Sequence, residues 1–200
     1  MKYSFAIVIT LLLSFLMTSN SVAEDSPEFA VKPNRGLNAV QHRQLDTLFA
    51  ALKASESELE ALGHEREIWR IWTAPIDKKL GQLMDKAIVQ MQQSKFQESL
   101  GTLDHIVKSF PKYAEGWNQR SLAHFQLKNY KASLSDIAAT LKLEPRHFGA
   151  LSGRGMIYWE QGQMQLAEQD ILRAMRYHPY VQSRSLLLSI PVQKTPKPYI

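Results

Sequence analysis

Apolar and small residues recur along the chain at a fixed interval of thirty-four residues. Leu83, Trp117 and Leu151 form one column of large side chains, Phe96, Tyr130 and Met164 a second, and Leu103, Ile137 and Ile171 a third. Ala87, Ser121 and Gly155 form a column of small residues, and Pro111, Pro145 and Pro179 close each interval. A period of this length in these residue classes predicts stacked helical hairpins, with units at 80–113, 114–147 and 148–180. Ser94-Lys95, Lys128-Asn129 and Gln161-Gly162 mark the turn inside each unit. The small residues, joined by Ala167 and Ala174, let helices approach closely. The closing proline stops the second helix, because it has no N–H to donate and its ring clashes with the preceding turn. One hairpin cannot bury its apolar face alone, so neighbouring units share a continuous core.

A different pattern precedes the repeats. Leu45, Leu48, Phe49 and Leu52 lie on one stripe of a helix. Ser55-Glu56-Ser57-Glu58 has the form of a capping box opening a second helix, lined by Leu59, Leu62, Trp69 and Trp72 and ended by Pro75. Segments 37–54 and 56–73 therefore predict a hairpin, within 37–75, that caps the first repeat, with both tryptophans in its core. Residues 24–36 read as an extended lead-in. Within 181–190, Ser183 to Ile190 reads as a short helix covering the last unit, and 191–200, with three prolines, as a flexible or polyproline-like tail.

The stretches Trp117…Ser121…Tyr130…Ile137…Thr140…Pro145 and Leu151…Gly155…Tyr158…Ala167…Ile171…Ala174…Pro179 resemble tetratricopeptide repeats. The unit Leu83…Ala87…Phe96…Leu103…Pro111 departs a little further from that pattern. Ser99 and Ser133 replace the family's usual alanine. Lys86, Arg120 and Arg154 stand where leucine is common, which predicts looser contacts between helices there. The resemblance covers about half the chain. It implies an all-α fold, a right-handed superhelix of antiparallel helix hairpins. The whole arrangement, with a helical section before the repeats, is similar to exported proteobacterial proteins of this kind.

In such arrays the first helix of each hairpin lines a concave groove. The resemblance places Met84, Ile88 and Met91 of the first unit there, with Asn118, Gln119, Leu122 and Phe125 of the second and Met156 and Trp159 of the third. Glu115, Gly149, Ser152 and Gly153 fall on the same face, the last three leaving room for a ligand backbone. The groove thus mixes methionine and aromatic side chains with amides, a surface suited to irregular apolar partners. Two kinds of occupant remain open: a protein or peptide partner, or the chain's own terminal helices. One subfamily grips chaperone tails with a basic clamp. The matching positions here are Met84, Ile88, Gln119, Gly149 and Gly153, none of them a cation.

The rest of the chemistry narrows the function mainly by exclusion. The chain has no cysteine, so disulfides, thiolate metal sites and cysteine nucleophiles are absent. Six histidines show no metal-ligand spacing, and His124 and His147 read as a repeat-face and a loop residue. Asp136, Glu144, Glu168 and Asp170 read as solvated helix faces. Gly153-Arg154-Gly155 is no dinucleotide fingerprint, and no phosphate loop or serine elbow occurs. These observations predict a non-enzyme without cofactor or metal. The net charge of +5 is mild. Met1-Lys2, the apolar run Phe5 to Met17 and Ser21-Val22-Ala23 predict a signal peptide over 1–23, cut after Ala23. The run is too short to span a bilayer. Export to the periplasm or beyond predicts no nucleic-acid partner and no stable membrane span after signal cleavage. The leading expectation is an exported scaffold that binds a protein or peptide through its groove. The rival is recognition of an envelope polymer, peptidoglycan or polysaccharide, by stacking on Trp117, Phe125 and Trp159 beside an enzyme.

Overall fold

The computed structural model describes residues 37–190. The predicted signal peptide, lead-in and tail lie outside them. Among the described residues eight α-helices run in chain order: α1 Ala39–Ala54, α2 Glu58–Thr73, α3 Lys78–Gln92, α4 Phe96–Ser109, α5 Ala114–Gln126, α6 Tyr130–Leu143, α7 Phe148–Glu160 and α8 Met164–Met175. A 3₁₀ helix, Gln182–Ser189, follows. The described residues form an all-helical solenoid of antiparallel hairpins, α3/α4, α5/α6 and α7/α8, preceded by the hairpin α1/α2.

Local chemistry sets the helix ends. Asn38 and Gln41 form a reciprocal capping box at α1. Ser57 caps α2 by accepting from the Glu60 amide at 3.2 Å, and the Glu60 carboxylate accepts from the Glu56 amide. The N-cap therefore sits two residues later than Ser55, which instead closes α1. The turn inside each repeat is the same three times. Ser94, Lys128 and Gly162, thirty-four residues apart, take left-handed φ values of 58°, 58° and 72°. The next amide then bonds back to the helix: Lys95 to Gln90 O, Asn129 to His124 O and Gln163 to Tyr158 O, at 2.8–2.9 Å. This is the Schellman closure, which favours glycine at its left-handed residue.

Within each hairpin the small-residue column brings the helices together. Ser99 Oγ donates to Ala87 O at 3.1 Å, and Ser133 Oγ to Ser121 O at 2.8 Å. The serines that replace alanine thus tie the two helices by a buried hydrogen bond. In the third unit Gly155 and Ala167 meet with no hydroxyl, and a Cβ on Gly155 would lie 3.1 Å from Ile171 Cγ1.

The cationic column is tight rather than loose. Arg120 donates from Nε and Nη2 to both oxygens of Asp136 at 2.8 and 2.7 Å, and from Nη1 to Asp104 in the preceding unit. Arg154 grips Asp170 in the same bidentate way at 2.7 Å. Hydrogen bonds to Asp136 and Asp170 hold the two guanidinium pKa values above their ordinary value. Asp136 and Asp170 are therefore buried partners, not solvated faces, and so is Glu144, held by Arg146. Glu168 is exposed as expected.

The hairpin α1/α2 packs elsewhere than expected. Its rings form one core with the second and third repeats: Phe49, Ile68, Ile71 and Trp72 cluster with Ile137, Phe148, Leu151 and Ala174. A separate core lies inside the first repeat, around Leu80, Met84, Leu103, Ile106 and Tyr113. The outer face of the first repeat carries Lys86, Gln90, Glu98 and His105 around a shallow recess. That polar face offers little to three large rings, whereas Phe148 and the glycine at 149 do.

Candidate protein-binding groove

The first helices of the three repeats, α3, α5 and α7, present their successive turns toward one side, and the hairpin α1/α2 fills part of it. Trp72 stacks on the His147 ring, with centroids 4.0 Å apart and planes 7° apart. Trp69 lies against Gly149 so closely that a Cβ there would sit 2.7 Å from Trp69 Cη2. Tyr113 donates its hydroxyl proton to Trp72 O. Burial, with Glu115 and Asp85 nearby, pushes the Tyr113 phenol well above its ordinary pKa, so it stays a donor. Asp46 bonds to Arg146 at 2.6 Å, and Glu65 to His178 at 3.1 Å.

Beneath this hairpin lies a closed polar cluster. Glu115 is 1% exposed. Asn118 and Gln119 donate to it, at 3.2 and 2.7 Å, and His147 Nε2 lies 2.9 Å away. His147 caps α7: its Nδ1 accepts from the Ala150 amide at 3.1 Å. Nε2 therefore carries the ring proton and donates it to Glu115. This charge is buried but surrounded by donors, the condition under which burial is tolerated. His147 is thus a loop residue as expected, but a fully buried one that caps α7. Nothing in the sequence spacing marks the pair, because Glu115 and His147 stand at opposite ends of the second unit and meet only through the fold.

The nine residues assigned to the groove fall into two sets. Met84 and Met91 are buried in the first-repeat core. Asn118 and Gln119 are buried and spend their amides on Glu115. These four offer no surface to a partner, because the chain's own side chains already cover them. Ile88, Leu122, Phe125, Met156 and Trp159 are partly exposed. On α5, Leu122 and Phe125 follow Asn118 and Gln119 by one to two turns. Ile88, Leu122 and Met156 are spaced by thirty-four residues, as are Phe125 and Trp159.

The room expected at Gly149 and Ser152 is taken: Trp69 fills the first, and Ser152 Oγ bonds to Ser183 Oγ at 2.9 Å. The 3₁₀ helix rests on α7 and α8, and Ser189 Oγ accepts from Trp159 Nε1 at 3.1 Å. Gly153 meets only Ile137 Cδ1, at 3.8 Å from a Cβ placed there. Glu160, on the rim, accepts from the Tyr130 hydroxyl. Trp117 is not part of this face. Its Nε1 donates to Pro111 O at 3.0 Å, and the Arg120 guanidinium covers its ring at 4.8 Å. The three-ring platform of the polymer reading is therefore not assembled. Among the described residues no group of three histidine or carboxylate side chains converges as a metal site, and no helix is long and apolar enough to cross a membrane.

Comparison with known proteins agrees with this architecture. The family model described as "Tetratricopeptide repeat" matches residues 84–138 and 120–180. A TPR repeat-containing protein of Rhizobium etli is 32% identical over 168 residues, covering 84% of this chain and 82% of that protein. The chain belongs to the tetratricopeptide repeat family. Proteins of this family serve as scaffolds for protein–protein interaction. In this tetratricopeptide repeat protein the chain's own side chains fill part of the groove, and Ile88, Leu122, Phe125, Met156 and Trp159 stay partly exposed.

Proposed function

We propose that this protein is an exported scaffold, cut after Ala23, that binds a protein or peptide through the exposed half of its groove. One observation carries the reading: partly exposed apolar residues recur at the same two places of successive first helices, Ile88, Leu122 and Met156 in one row and Phe125 and Trp159 in the other. An apolar strip with a polar rim is how a docking surface is built, and buried aromatic residues at its centre carry most of the binding energy. Leu122 and Met156 suit an apolar side chain of the partner, and Gln92 and Gln126 supply amide donors and acceptors at the end of the strip.

Export rests on the leader pattern at the N-terminus, and sequencing the mature protein from the cell envelope should begin at Glu24. A membrane-bound product beginning at Met1 contradicts it. Binding is tested by crosslinking in intact cells with a photoreactive residue at Leu122 or Met156. The expected result is one protein captured from both positions and not from the control position Glu168. Capture of glycan instead favours the polymer reading. Capture from Glu168 alone moves the interface off the groove.

A further inference from the structure

A second feature lies at the seam between α1 and the end of α8 and shares no residue with the groove. Phe49, Ala50, Lys53, Arg176 and Tyr177 line a recess of about 390 Å³. Its floor is aromatic: the Phe49 and Tyr177 rings meet edge to face, with centroids 6.3 Å apart. Its rim is cationic. Lys53 lies in the last turn of α1 and Arg176 caps the C-terminus of α8. Helix C-termini draw cations through the dipole, and that places both here without spending their N–H donors on a carboxylate. The arginines that bridge elements elsewhere each hold an acidic partner: Arg120 with Asp136, Arg146 with Glu144 and Asp46, Arg154 with Asp170 and Arg184 with Glu58. Lys53 and Arg176 have no such partner among the described residues. Asp46 and Glu144 are taken by Arg146, whose guanidinium lies over Phe49 at 4.5 Å. The recess thus carries two uncompensated positive charges over an apolar floor.

We propose that this recess binds an acidic segment of a protein partner, with a carboxylate held between Lys53 and Arg176 and an adjacent aromatic or branched side chain set on Phe49 and Tyr177. The argument is complementarity. A guanidinium and an ammonium on one rim match a carboxylate, and a ring floor favours an apolar neighbour over a bare inorganic anion. The proposal is independent of the groove: loss of one site leaves the other intact.

The test uses the full-length mature chain, isotope-labelled, titrated with the peptide acetyl-Asp-Glu-Phe-Asp-Glu-amide and followed by NMR and calorimetry. The expected result is saturable shifts confined to Ala50, Lys53, Arg176 and Tyr177, with binding that weakens as salt rises. The Lys53→Gln/Arg176→Gln variant should bind at least tenfold more weakly with an unchanged melting point, because both side chains are exposed. Trp159→Ala should bind this peptide as the parent does. Equal binding of the peptide with Asn and Gln in place of Asp and Glu overturns the proposal. So do the same shifts produced by inorganic phosphate alone, shifts spread over other basic faces, or a double variant that binds normally.

Discussion

Single residues decide where this array is tight and where it yields. Gly149 is the sharpest case, because a Cβ there meets Trp69 Cη2 at 2.7 Å, whereas at Gly153 it meets Ile137 Cδ1 at 3.8 Å. Gly149→Ala should cost about 1–3 kcal/mol by forcing the tryptophan aside. Gly153→Ala should be neutral or stabilising by up to about 1 kcal/mol through helix propensity. Urea melts of the two variants compare them directly, and equal effects would mean that Trp69 does not rest on α7. Lys128 holds a φ of 58° at the position where the third repeat has Gly162. Lys128→Gly should raise stability by about 0.5–1 kcal/mol, since relief of left-handed strain outweighs glycine's extra freedom when unfolded. A lowered melting temperature would show that the lysine side chain matters more than its backbone.

At the scale of the element, the Arg–Asp pairs replace the apolar contact that leucine makes at the same place. Arg154→Leu alone leaves Asp170 buried without its partner and should cost about 3–5 kcal/mol. Adding Asp170→Ala should recover most of that loss, because the apolar pair then resembles the family's usual packing. A double variant as unstable as the single one would show that the bridge itself holds the hairpin. The repeats were legible in the sequence because one packing problem is solved three times in register, so each column is read in triplicate. The salt bridges were not: Arg120 and Arg154 stood out as odd, but Asp136 and Asp170, sixteen residues on, could not be matched to them without the hairpin's geometry. The stripe Leu45, Phe49, Leu52 showed that α1 must bury a face. It did not show against what, and the polar outer face of the first repeat was the one clue.

For the whole molecule, the hairpin α1/α2 belongs to the array rather than capping its end, and it covers part of the groove. The sequence supplied a list of nine groove positions, of which five are partly exposed. Which positions lie deep depended on Trp69 and Trp72, whose burial says nothing of location. Deleting 37–75 should uncover Phe148 and the His147–Glu115 pair, and the second and third repeats should melt earlier or aggregate. The most direct measurement is hydrogen exchange of the intact protein, which reports the free energy at which each segment opens. If the hairpin is part of the core, amides of Ile68 to Trp72 in α2 should exchange as slowly as those of Leu151 to Ile157 in α7, both through global unfolding. Exchange in α2 that is faster by orders of magnitude, with α7 still protected, would contradict the account: the hairpin would then leave the groove in the native state, and the whole concave face would be open to a partner.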